Sequence, residues 1–510
     1  MIELRAGGLT LAEVVAVARE NAHAELMDDA RAAMSESAAI VERLASSPEP
    51  TYGVSTGFGS LATTPIPADR REELQRALIR SHAAGMGEPV EREVVRAMMV
   101  LRARSLAMGY SGARPEVADV ILRILQAGVT PVVPEHGSLG ASGDLAPLAH
   151  CALALIGEGE VMDADGRRRP TAEALAEAGI QPLTLRAKEG LALINGTDGI
   201  LGMLVLAIWD LRSLLRVADL TAAMSVEALL GTDRAFAEDL IGLRGQPGQA
   251  VSAANLRRLL DGSPIVASHR EDDPRVQDAY SLRCAPQVNG AARDALGYAD
   301  RVAKEELRSA IDNPMVLPDG RVESCGNFHG APLALACDLL AMAVADTGAI
   351  AERRTDRLLD ASRSEGLPPF LAEDPGVDSG LMIAQYTQAA MVAENRRLAS
   401  PAGVDSLSTS AMQEDHVSMG WGAARKLRVT LDNFRRILAV EAACAARGLE
   451  LRAPLEPGAG TGAAVEAIRS AGIPGPGPDR HLAPELEALE RLVASGKLVG
   501  AVEGAIGELR

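Results

Sequence analysis

Apolar residues recur at helical spacing along most of the chain, in a background of Ala, Leu, Arg and Glu. Residues 10–26, "TLAEVVAVARENAHAEL", open with Thr10 followed three positions later by Glu13. That is a capping-box pattern, and it predicts a helix over the segment. "REELQRALIRSHAAGM" from Arg71 and "EREVVRAMMVLRARSLAMG" from Glu91 predict two more, broken by Gly85, Gly87 and Pro89. Residues 171–179 read as a short helix closed by Gly179. Beyond residue 200 the amphipathic segments lengthen, to residues 199–230, 289–310, 331–359, 379–398 and 414–448. Segments of that length predict a bundle of long antiparallel helices. "AGIPGPGPDRH" from Ala471 reads as a linker before a last helical stretch. Alternating strand patterns are scarce, and no internal repeat is found. The expected fold is all-α (mainly α), with an N-terminal domain over residues 1–200 that carries the loop motifs and a helical bundle over residues 201–510.

Composition narrows the partners. A net charge of −18 over 510 residues argues against a nucleic-acid surface or an anionic membrane, since both need clustered Lys and Arg. "MIELRAGGLT" is charged from Glu3 onward, so no signal peptide is expected. The apolar run from Gly199 to Trp209 is too short to span a bilayer and ends at Asp210. Cys151, Cys284, Cys325, Cys337 and Cys444 make an odd number with no C-x-x-C pair. A reduced, cytoplasmic protein without a disulfide framework is expected. No set of Cys ligands and no H-E-x-x-H is present, so no metal site is expected.

Only 2% of the residues are aromatic, which makes their placement informative. Tyr52, Phe58, Tyr280 and Phe328 lie in Gly-, Ser- or Asn-rich stretches, where side chains serve binding sites or anchor turns. Gly57-Phe58-Gly59 with Ala62 matches a relaxed dinucleotide fingerprint, but no strand precedes it and no βαβ unit follows. Gly140-Ala141-Ser142-Gly143 fails as a nucleophile elbow because Asp144 holds the last position. The same tripeptide, Ala141-Ser142-Gly143, has another chemistry. Small residues let the backbone fold onto itself, and Gly143 has no Cβ to obstruct its own nitrogen. Attack of that nitrogen on the Ala141 carbonyl closes a five-membered ring. Loss of water there, and of the Ser142 hydroxyl, leaves an exocyclic methylidene, a strong electrophile made from the chain.

"GSLGASGDLAPLAH" from Gly137 resembles the prosthetic-group signature of the aromatic amino acid ammonia-lyase family, in which Ala-Ser-Gly becomes 4-methylideneimidazol-5-one (MIO). Further stretches match in the family's order: "YGVSTGFG" at Tyr52, "RSHAAGMGEP" at Arg80, "EGLALINGTDG" at Glu189, "VQDAYSLRCAPQ" at Val276, "DNPMV" at Asp312, "GNFHGAP" at Gly326 and "SAMQEDHVSM" at Ser410. They reach from Tyr52 to Met419. Ser55 and Met412 stand where many relatives have Asn. The resemblance implies an α-helical homotetramer whose sites combine residues of several subunits, with MIO formed from Ala141, Ser142 and Gly143 and no external cofactor. It implies that Tyr52 removes a β-proton, that Asn195, Tyr280 and Arg283 hold the ring system and the substrate carboxylate, and that Gln277 and Phe328 line the site. Glu414 then faces the substrate's amine or side chain, and His82 contacts its ring.

The implied reaction is non-oxidative elimination of ammonia from L-histidine to give trans-urocanate. Tyrosine or phenylalanine deamination and an aminomutase are the alternatives within the family. Arg283 offers a planar fork suited to a carboxylate. Tyr52 serves as a base only if its hydroxyl is made more acidic than the usual value of about 10. Asp415 is expected at a helix start and His416, His136, His150 and His329 in structural roles. Asp144 is open to two readings, a helper of ring closure or the cap of the helix that follows it.

Overall fold

A computed structural model describes residues 1–47, 51, 53–57, 64–271, 273 and 275–510. The chain is mainly helical with a few short strands, and it divides into two compact units. The first comprises Met1–Trp209, Ala299–Asp338 and Pro401–Arg425; the second comprises Asp210–Tyr298, Leu339–Ser400 and Lys426–Arg510.

The long helices fall where the apolar period placed them: Asp198–Ala228, Ala285–Glu306, Ala331–Leu359, Met382–Leu398 and Gly420–Glu450. Two boundaries move for identifiable reasons. The first helix is Leu11–Arg19, with the Thr10–Glu13 capping box intact, and it stops short of Leu26. Asn21 takes a left-handed φ of 55°, and Ala24–Leu26 becomes a strand paired in parallel with Ile2–Leu4. The last long helix starts at Gly420, not at Glu414, because Met419 has φ 53° and cannot continue an α-helix backwards. Asp415 therefore lies ahead of the helix, not in its first turn as expected.

The core of the first unit is built around the Arg92–Ala107 helix, which is buried on every face. Three arginines lie inside it, each matched to backbone oxygens. Arg96 donates to the Val17 and Leu125 carbonyls, Arg102 to those of Asn195 and Ile311, and Arg104 to that of Ser309. A guanidinium carries several donors, so one side chain can tie together chain segments far apart in sequence. In this way Arg102 fixes the turn Asn195–Asp198, which the site uses.

In the second unit Arg354 and Glu441 form a fully buried ion pair. Thr221 and Ser225 donate their hydroxyls to the Glu441 carboxylate at 2.7 and 2.9 Å, so the charge is satisfied from several directions. Arg354 also donates to the Ser281 carbonyl at 3.4 Å, which ties down the short helix Tyr280–Arg283.

Candidate active site

The ring-forming segment sits where a Cβ has no room. Gly143 has φ +75°, and a Cβ on it would come within 2.1 Å of the Gly196 carbonyl oxygen. Gly140 has φ +72°, and a Cβ there would lie 2.0 Å from the Ser418 hydroxyl oxygen. At Gly196 a Cβ would meet the Arg102 guanidinium at 2.4 Å, and at Gly199 the Trp421 ring at 2.5 Å. Bridges join Ala141 to Gly143 and Gly143 to Gly196, and the Asp144 amide donates to the Gly196 carbonyl at 2.7 Å. The turn is thus pressed against a second backbone, and glycine is required on both sides of the contact.

Asp144 is buried beneath this segment and caps a helix, though not the one that follows it. The Leu145–Leu155 helix receives no side-chain cap from it. Its Oδ2 accepts from the Gly199 and Ile200 amides, each at 2.9 Å, at the N-terminus of Asp198–Ala228. The Ser138 hydroxyl donates to its Oδ1 at 3.1 Å. Burial pushes the Asp144 carboxyl up to about 7, with the Asp198 charge adding to the effect and the hydrogen bonds from Ile200, Ser138 and Gly199 opposing it.

A cavity of about 480 Å³ opens over the tripeptide. Ser142, His82, Asn195 and Glu414 all line it, with Leu78, Leu191 and Asn313 among its other walls. His82 ends the Arg71–His82 helix, and its Nδ1 lies 2.9 Å from the Leu78 carbonyl. A carbonyl only accepts, so Nδ1 carries the proton, and a neutral His82 keeps Nε2 as an acceptor. Glu414 is half-buried, and the Thr409 hydroxyl donates to its carboxylate at 3.0 Å. Its loop is held in an uncommon conformation: Ser410, Ala411 and Met412 have φ of 51°, 53° and 69°. Such a run in residues with a Cβ is strained and persists only where the surroundings enforce it.

Asn195 caps the Glu189–Ile194 helix and is buried. Its Nδ2 donates to the Asn313 carbonyl at 2.6 Å and faces Asp312 at 3.4 Å, while its Oδ1 has no donor among the described residues. Asp312 is paired in turn with the fully buried Lys188 at 2.9 Å. Neither Lys188 nor Asp312 was singled out from sequence. The signal was present: Asp312 opens the matched stretch "DNPMV", and Lys188 stands just before the matched "EGLALINGTDG".

The remaining expected residues are not among the cavity's described walls. Tyr52 lies outside the described residues, as does Phe58. Tyr280, Arg283 and Gln277 belong to the second unit. There the Arg283 guanidinium stacks 4.6 Å from the Tyr280 ring centroid, a cation–π contact. Val276 is 100% exposed and Tyr280 71%, and Gln277 is exposed between them. Phe328 is half-buried and does not line the cavity. Its neighbour His329 meets His416 across 3.3 Å, and His150 accepts from the Gly85 amide at 3.1 Å.

This arrangement fits a group closed from Ala141, Ser142 and Gly143. The glycine cradle lets the backbone of the tripeptide pack where no Cβ would fit, and the Asn195 amide oxygen beside it has no donor among the described residues. A family model described as aromatic amino acid lyase matches residues 9–470. The chain is 60% identical to a histidine ammonia-lyase of Streptomyces coelicolor over 503 residues, 99% of this chain and 98% of the relative. Among solved structures it is similar to a histidine ammonia-lyase of Trypanosoma cruzi, at 39% identity and TM-score 0.91, covering 99% of this chain and 96% of that one. It is also similar to a tyrosine aminomutase of Streptomyces globisporus, at 37% identity and TM-score 0.94, covering 100% of both chains.

Proposed function

We propose a reaction from one premise: this chain belongs to the aromatic amino acid lyase family. The reaction is the non-oxidative deamination of L-histidine to trans-urocanate and ammonia. The observation that carries it is the cavity lined jointly by Ser142 of the ring-forming tripeptide and by His82, Asn195 and Glu414.

Closed from Ala141, Ser142 and Gly143, MIO supplies an electrophile that draws electrons from the departing amine. The segments around Gly140 and Asn195–Gly196 would hold it. The chain's own residues do the rest. Tyr52 takes the β-proton, which requires a hydroxyl more acidic than the usual tyrosine at about 10. Arg283 receives the substrate carboxylate through its planar fork. His82, with Nδ1 committed to Leu78, offers Nε2 to an imidazole N–H, and Glu414 offers a second polar partner to the ring.

These partners also set substrate choice. Phenylalanine would offer no polar partner to His82 Nε2 or to the second oxygen of Glu414, at up to roughly 1–3 kcal/mol for a group that binding buries. The structural likeness to a tyrosine aminomutase keeps tyrosine as the competing substrate, since a phenol hydroxyl can also meet His82. The relative identity favours histidine, at 60% to the histidine ammonia-lyase against 37% to the aminomutase. We further propose a cytoplasmic homotetramer whose active sites are completed by neighbouring subunits; the exposed Val276, Gln277 and Tyr280 support this.

The test is a substrate panel on purified protein with no added cofactor. L-Histidine should give ammonia and an ultraviolet-absorbing product, faster than L-tyrosine and much faster than L-phenylalanine. His82→Leu should lower the rate on histidine more than on phenylalanine. Faster turnover of tyrosine than of histidine would reassign the substrate.

A further inference from the structure

We propose that His150 is a positioning residue for recognition of the substrate ring: by accepting the Gly85 amide it fixes the turn that follows His82 against the segment carrying Ala141-Ser142-Gly143. This rests on the deamination reading above, in which His82 meets the imidazole of the substrate.

His82 is the last residue of the Arg71–His82 helix, where a helix is least supported by its own hydrogen bonds. Past it, the Ala83 amide donates to Ile79 and the Ala84 amide to His82 itself, both local bonds. The Gly85 amide then donates to His150 Nε2 at 3.1 Å, a partner on another helix. That helix, Leu145–Leu155, follows the tripeptide directly, and Leu145 lines the cavity with Ser142 and His82. Gly85 is closed in from the other side as well. A Cβ on Gly137 would lie 3.1 Å from the Gly85 Cα, and a Cβ on Gly85 would lie 3.1 Å from both His150 Nε2 and the His136 carbonyl oxygen. Gly137 and His150 bracket the stretch that holds the tripeptide, so the turn after His82 is gripped by both ends of it.

The chemistry of the contact is specific. An amide N–H needs an acceptor, so Nε2 of His150 is bare and Nδ1 carries the proton. A protonated imidazole accepts nothing, and burial pushes His150 down, toward the neutral form. The rest of the helix, "LAPLAHCALAL", is apolar. An aliphatic side chain at 150 would fill the space with less desolvation, so the ring nitrogen gains its value from the amide it holds. The body of the His82 helix has a separate anchor, since the buried Gln75 accepts from the Gly190 amide at 2.9 Å. Loss of the His150 acceptor therefore loosens the end at His82 and leaves the helix in place.

His150→Phe keeps a ring and removes the acceptor, whereas His150→Gln places an amide oxygen near the position of Nε2. Both should keep the mass deficit of two waters that marks ring closure. Two inhibitors without an amine separate ring recognition from the rest of the site. His150→Phe should weaken 3-(imidazol-4-yl)propanoate about 10-fold, the scale of one lost hydrogen bond, and leave 3-phenylpropanoate nearly unchanged. His150→Gln should recover most of that loss. In a His82→Leu background, His150→Phe should bring little further loss, because it acts through His82. If His150→Phe fails to assemble, His150→Leu takes its place, and failure of both would make the residue purely structural and overturn the proposal. Equal weakening of the two inhibitors, a glutamine variant no better than the phenylalanine one, losses that multiply with His82→Leu, or a missing mass deficit would each overturn it too. Wild-type protein inactive on histidine, tyrosine and phenylalanine would instead sink the functional reading, and this proposal with it.

Discussion

Ser142 already carries a Cβ, whereas Gly143 cannot accept one, and this difference separates chemistry from sterics within a single tripeptide. Ser142→Ala removes a hydroxyl and nothing else. The variant should fold, show the full encoded mass and lack activity. Gly143→Ala adds a methyl at φ +75°, aimed at the Gly196 carbonyl oxygen 2.1 Å away. It should melt well below Ser142→Ala in a thermal unfolding scan, besides losing activity. Equal melting temperatures for the two would refute the cradle. The tripeptide was legible in sequence because its chemistry depends on residue size alone. The cradle was not, since Gly196 and Ser418 are brought to it by folding. Lys188 and Asp312 lie beside and within matched stretches of sequence, but only the contact shows that they form a pair.

Among the elements, Asp198–Ala228 shows how a helix end can be built from a distant residue. Its first amides are capped by Asp144, buried and pushed up to about 7. The helix periods were legible because they need only apolar spacing, and the Thr10–Glu13 box was legible because both partners are local. Helix starts and stops that depend on tertiary contact were not. Ala24–Leu26 leaves the helical pattern because Ile2–Leu4 offers it a ladder, and the Glu414 loop stays non-helical because its backbone turns left-handed. The Asp144 cap carries a pH signature. Its folded pKa lies above its unfolded value of 3.8, so the folded state binds the proton more tightly. Stability is then lost as pH rises from about 4 to about 7 and is level above that, by on the order of 4 kcal/mol if no other group compensates. Asp144→Asn does not titrate. The gap in melting temperature between wild type and this variant should therefore narrow, or reverse in the variant's favour, between pH 5 and pH 8. Parallel curves over that range would show that Asp144 does not titrate in the fold.

The whole molecule leaves a set of expected site residues outside the cavity's own unit. Ser142, His82, Asn195 and Glu414 belong to the first unit, while Gln277, Tyr280 and Arg283 belong to the second. Folding within one chain explains the buried Arg354–Glu441 pair that anchors Ser281, but it does not explain why Val276 is fully exposed and Tyr280 71% exposed. Apolar and aromatic side chains grouped on an exposed segment mark an interaction surface. A short helix that carries a tyrosine and an arginine stacked 4.6 Å apart is suited to a ligand. Both observations are met if this segment completes the cavity of another copy of the chain. In a closed homo-oligomer each copy would give and receive the same residues. The consequence can be measured by mixing two inactive proteins. Tyr52→Phe and Arg283→Ala each spoil one contribution. If the two residues reach a given site from different subunits, tetramers reassembled from a mixture contain some sites that draw both from intact copies. Those sites should recover part of the wild-type rate, while each variant reassembled alone stays inactive. Recovery should vanish when the variants are mixed without dissociation, because the subunits then never exchange. No recovery in mixed tetramers, with exchange confirmed by mass, would place both residues in one chain's site, and sedimentation of an active monomer would remove the need for a partner altogether.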